Sequence, residues 1–111
     1  MSIEQFIEDL ETKVDTKHCT ARKFHDFRTG YMCPISQVAL ENKIVSKVAI
    51  EKADSSLSNE REMLACVSHY YGIASDKLEF FYRTFDNYYY RDWKMDEALN
   101  KTTRDLKAST P

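Results

Sequence analysis

Apolar residues recur along most of the chain at three- and four-residue intervals, the spacing that aligns side chains on one face of an α-helix. Ile3, Phe6, Ile7, Leu10 and Val14 form the first such stripe, and Glu4, Glu8, Asp9 and Glu11 take the other faces. Ser2 and Gln5 have the spacing of a capping box, so a helix is expected to begin here, with its acids near the positive end of the helix dipole. From Asp15 to Cys33 the periodicity fails. Thr16, Thr20, Thr29 and Gly30 punctuate that segment, which reads as a loop with one short helix around Ala21 to Arg28. Pro34 suits the first turn of a new helix, where a missing N–H costs nothing. Leu40, Ile44 and Val48 make one helical stripe beyond it, and Ile35, Val38, Val45 and Ala49 a second. A helix ending before the turn Asp54–Ser56 is the reading adopted, with a strand over Lys43–Ile50 as the alternative, because that stretch is rich in β-branched residues.

Ser58 has the character of an N-cap for a helix carrying Met63, Leu64, Val67, Tyr70 and Tyr71, which Gly72 should close with Ile73 folding back behind it. Ser75 with Asp76 would cap the next helix. Residues 78–93 then hold Phe80, Phe81, Tyr82, Phe85, Tyr88, Tyr89, Tyr90 and Trp93, eight of the chain's 14 aromatics. Leu78, Phe81, Tyr82, Phe85 and Tyr89 fit one helix stripe. The competing arrangement is an aromatic hairpin turning at Asp86 and Asn87, since aromatics favour strands. Met95, Ala98, Leu99, Thr102 and Leu106 form a last amphipathic stripe, with Asp96 as candidate cap and a frayed tail over 108–111. The expected fold is mainly α, one small single domain over 1–111 with four to five helices, or an α+β variant with the hairpin at 78–93.

The chain's 111 residues are 42% hydrophobic and 31% charged, with 16 Lys and Arg against 18 Asp and Glu, for a net charge of −2. That balance does not supply the positive field of a general nucleic-acid or membrane-surface binder. Two glycines are too few for phosphate-cradling loops, which places P-loop and dinucleotide chemistry outside the expected functions. Three cysteines at wide, unequal spacings make a poor disulfide framework. They fit a reducing compartment, and with neither a secretory leader nor a membrane-spanning run at hand the cytoplasm is the expected location.

Three constellations are candidates for chemistry. Cys66 and His69 sit at i and i+3 on a helix, and Cys19, His25 and Cys33 could approach them to hold zinc, but the close Cys pair of a zinc knuckle is missing, so no metal or cofactor is expected. His18 beside Cys19 could form a nucleophile and base; without an electropositive setting it gives no reason to expect an enzyme. The segment Val67–Leu78, with its glycine turn, following Ile73 and later Leu78, resembles the core of a bacterial helix-turn-helix, which implies DNA binding through Asp76, Glu79, Phe80 and Arg83. It departs from that pattern at Ser68, where the family has Ala, and two acids on the recognition face oppose phosphate contact.

The aromatic segment points elsewhere. Tyr88, Tyr89 and Tyr90 cannot all turn inward, because neighbouring side chains diverge by about 100° on a helix and alternate on a strand. Exposed rings flanked by Arg83, Arg91 and Lys94 have the composition of a protein-binding hot spot. Tyr88, Tyr89, Tyr90, Arg91, Trp93 and Arg83 are therefore the expected partner-binding residues, with Arg22, Lys23 and Arg28 as a secondary basic patch. The function expected is that of a non-enzymatic regulator or inhibitor docking on a protein partner, with homodimerisation possible through the same surface. General appearance, rather than any residue, adds the expectation of a phage or mobile-element accessory protein; a helix-turn-helix DNA binder is the alternative.

Overall fold

A computed structural model describes residues 2–109, and its elements are six α-helices in the order α1 (Ile3–Thr12), α2 (Pro34–Glu41), α3 (Lys47–Lys52), α4 (Leu57–Tyr71), α5 (Ser75–Tyr90) and α6 (Met95–Ala108). Single 3₁₀ turns cover Thr16–His18 and Ala53–Ser55. The fold is mainly α, with six helices rather than four to five. Among the described residues there is no strand, only two isolated bridges to Met32, so neither the aromatic hairpin nor the Lys43–Ile50 strand forms. Thr110 and Pro111 of the expected frayed tail lie outside the described residues, whereas Ala108 still belongs to α6.

The extra helix arises because the stretch after Pro34 breaks in two. Lys43 takes a left-handed φ of 55°, and Ser46 caps a fresh start by accepting the Ala49 N–H at 3.2 Å. The Ala21–Arg28 helix does not form either. Arg22 is left-handed there, with φ 69°, and the backbone N–H groups of Phe24 and His25 are drawn to the Asp54 carboxylate instead of to a preceding carbonyl. Helix starts also shift by a residue or two. Ser56, not Ser58, caps α4 through the Asn59 N–H; Ala74 precedes α5 with Ser75 already helical; and Lys94 precedes α6, leaving Asp96 in its first turn.

Two sequence signals act as expected. Ser2 Oγ accepts the Gln5 N–H at 3.2 Å, although the Gln5 side chain turns to Asp9 instead of back to Ser2. Gly72, at φ 67°, ends α4 in a Schellman arrangement, in which Gly72 N–H reaches His69 O at 3.3 Å and Ile73 N–H reaches Ser68 O at 3.1 Å.

The core gathers Phe6 of α1, Tyr71 of α4, and Phe81 and Phe85 of α5. Phe6 meets Tyr71 and Phe81 with ring centroids 5.0 and 6.0 Å apart, and Phe81 stacks on Phe85 at 6.3 Å. Inside it lies one carboxylate, Asp9, which accepts from Tyr71 Oη at 2.6 Å, Asn42 Nδ2 at 3.0 Å and Gln5 Nε2 at 3.0 Å. α5 and α6 run antiparallel, tied by Tyr88 Oη to Asp105 and by Lys77 Nζ to the Ser109 carbonyl. The long connection from α1 to α2, regular only at the Thr16–His18 turn and the two bridges to Met32, is held largely by side chains. Gln37 accepts from Asp15 N–H and donates to the carbonyls of Asp15, His18 and Met32. Among the described residues no helix is long and apolar enough to cross a membrane.

Candidate functional site

The end of α5 and the basic loop, far apart in sequence, meet in space. The Arg22 guanidinium carbon lies 4.5 Å from the centroid of the Tyr90 ring, a cation–π contact. Behind it the Arg22 N–H donates to Asp86 Oδ1 at 2.9 Å, one helical turn before Tyr90. Phe24 extends the same seam, its ring 5.8 Å from that of Tyr82. Burial pushes the Asp86 carboxyl above its ordinary range, with the Arg22 N–H pulling the other way. Arg22 is thus a left-handed, non-glycine residue held at two points, its N–H and its guanidinium.

The tyrosine triplet divides by helical geometry. Tyr88 is half-buried: its ring packs on Trp93 at 4.8 Å and its hydroxyl donates to Asp105, whose carboxyl is held below the usual range by that bond and by Lys101. Tyr89 and Tyr90 are 41% and 69% exposed. Past them the chain reverses at Asp92, left-handed with φ 64°, and the Trp93 N–H returns to the Tyr88 carbonyl at 3.2 Å. The reversal leaves a shallow groove of about 430 Å³ lined by Arg22, Tyr89, Tyr90, Asp92, Trp93 and Lys94. Arg91, exposed, follows directly on Tyr90 at the helix end.

Other residues singled out from sequence lie elsewhere. Arg83 pairs with Glu79 at 2.6 Å and lines a separate groove with Leu57, Glu60 and Arg61 of α4. Lys23 borders a small cavity of about 60 Å³ that Arg22, Asp54 and Asp86 also line. Arg28 stands at the loop tip beside Phe27. The helix–Gly72–helix corner does form between α4 and α5, and the face it would offer to DNA carries Asp76, Glu79 and an Arg83 already paired with one of those acids. Cys66 and His69 are exposed on α4, whereas Cys19, His25 and Cys33 are buried in the loop. Among the described residues no three His, Cys, Asp or Glu side chains come together as a metal site.

His18 pairs its Nδ1 with Asp15 at 2.6 Å and does not serve Cys19. Burial pushes both buried thiols up, Cys19 far above its ordinary range and Cys33 to about 11, so neither is a thiolate near neutral pH. The clamp residues Asp54 and Asp86 were not foreseeable from sequence. They look like ordinary solubilising acids, and their partners are backbone N–H groups 29 to 64 positions away.

No family model, no curated protein and no solved structure matches this chain, so the class of protein is set by its own features: a six-helix α domain with an aromatic, cationic helix end.

Proposed function

We propose that this protein is a non-enzymatic binding module that docks on an acidic protein surface through the C-terminal end of α5, acting as a small inhibitor, adaptor or regulatory subunit. The observation that carries this reading is Tyr90, 69% exposed at the helix end yet fixed under the Arg22 guanidinium. Rigid, amphipathic rings beside cations bury large area on binding and lose little rotamer entropy, which is why such groups dominate interface energetics. Arg22 and Lys94 line the groove against Asp92, and the exposed Arg91 follows Tyr90 in the chain, so the preferred partner face is acidic. Blocking a larger enzyme, as phage and mobile-element accessory proteins do, is the biological role in best accord with a small chain built this way.

The test begins with capture of the partner on immobilised protein and proceeds to affinities of Tyr89→Ala, Tyr90→Ala, Arg91→Ala and Trp93→Ala. Tyr90→Ala should weaken binding by about 2 kcal/mol or more with the fold intact. Unchanged affinity in all four variants refutes the reading. Binding of duplex DNA that falls steeply with salt would replace it with the helix-turn-helix function, and a concentration-dependent dimer abolished by Tyr90→Ala would make the partner a second copy of the chain.

A further inference from the structure

The loop that carries Arg22 ends in a second exposed ring. Phe27 is 72% exposed, more than any other large apolar side chain among the described residues. A scattered surface phenylalanine needs no explanation by itself; the backbone around this one does. Asp26 closes the tip with all of its polar groups: its N–H donates to Tyr31 O at 2.9 Å, its carbonyl accepts from Gly30 N–H at 2.7 Å, and Oδ1 accepts from Arg28 N–H at 2.9 Å. Gly30 supplies the left-handed residue this closure requires, with φ 78°. At the base, Asp54 grips the N–H groups of Phe24 and His25, and the His25 ring supports Phe27 edge-on with centroids 4.5 Å apart. A tip so tied displays Phe27 with little ordering left to lose on binding.

The charge of the segment names the partner's chemistry. Around the tip Lys23 and Arg28 stand against one carboxylate of the loop itself, Asp26, whose Oδ1 is bonded to the Arg28 N–H, while Asp54 and Asp86 hold the loop from its base and the chain as a whole is −2. We infer that the 26–31 tip is a pre-organised anchor whose Phe27 enters an apolar pocket on the same acidic protein that receives Tyr90, with Lys23 and Arg28 pairing with carboxylates at the pocket's rim. This rests on the docking reading above and extends the interface from the end of α5, across Arg22, to the loop tip.

The test is site-specific photo-crosslinking in cell extract, with p-benzoyl-phenylalanine replacing Phe27, Tyr90 or, as a control on another part of α5, Phe80. Positions 27 and 90 should yield the same protein adduct, competed by excess unmodified chain, and the peptide joined to position 27 should be rich in Asp and Glu around apolar residues. With that partner purified, Phe27→Ala should weaken binding about 30-fold or more, the double variant Lys23→Glu, Arg28→Glu should abolish it, and the melting temperature of Phe27→Ala should match that of the parent. An adduct at 90 without one at 27, a pocket peptide lacking acidic residues, or unchanged affinity for Phe27→Ala overturns the anchor and leaves the α5 surface standing. An adduct at 27 alone overturns the α5 reading and the shared interface together. Adducts at neither position, or ones removed by nuclease, overturn both.

Discussion

Replacing Tyr71 by Phe removes one oxygen atom and nothing of the ring that packs on Phe6. That oxygen donates to Asp9 Oδ2 at 2.6 Å and accepts from Asn42 Nδ2 at 2.8 Å, and Asp9 is only 2% exposed, so water does not take its place. A hydrogen bond to a charged acceptor is worth about 1.5–3 kcal/mol; with Asn42 and Gln5 still donating, we expect a loss of about 2 kcal/mol, or about 8 °C for a domain of this length. The pH dependence is the sharper part. Burial, the largest single influence on Asp9, pushes its carboxyl up, but the bonds from Tyr71, Gln5 and Asn42, with Lys13 nearby, outweigh it and hold the group below 3.8. Because the folded-state value is depressed, the stabilisation is present above the unfolded value and disappears as pH falls through the folded one. Tyr71→Phe raises that folded value, so its deficit should be widest near pH 7 and should narrow as pH falls through the variant's folded value toward the parent's lower one. Thermal melts by circular dichroism at pH 7 and pH 2.5 measure this, with Tyr70→Phe as control. A deficit under 1 °C at pH 7, or the same deficit at both pH values, refutes the reasoning.

Phe85→Ala should cost about 3–5 kcal/mol by emptying the core, while Tyr90→Ala should lower the melting temperature by only about 2–4 °C, the worth of an exposed cation–π contact, because most of that ring faces solvent. Arg22→Gly and Arg22→Ala lose the same contact with Tyr90, yet chemical denaturation should find the glycine variant more stable by about 1 kcal/mol, since φ 69° strains only the alanine. Gly72→Ala should destabilise by about 1 kcal/mol or more for the same reason, read as a lower denaturation midpoint. Timed alkylation at pH 8 should label Cys66 quickly and spare Cys19 and Cys33 until the protein unfolds; rapid labelling of all three would contradict their burial.

Local signals determined most of the helices from sequence. The apolar stripe of α1, the cap at Ser2, Pro34 at the start of α2 and the left-handed Gly72 after α4 all act between residues a turn or two apart, where spacing and backbone preference suffice. The eight clustered aromatics required some rings to face solvent for the same local reason, as one helix cannot turn every side of itself inward, and Tyr89 and Tyr90 do. Tertiary structure decided what local rules leave balanced. Residues 78–90 are a helix because Leu78, Phe81 and Phe85 find the core through Phe6, which overrides the strand preference of aromatics. Residues 21–28 are a loop because Asp54 and Asp86, remote in sequence, take the N–H groups a helix would have used. That same choice brings Arg22 onto Tyr90 and makes one surface of two segments more than sixty residues apart. No periodicity within either segment encodes that meeting; it exists only once the core has set α5 beside the loop.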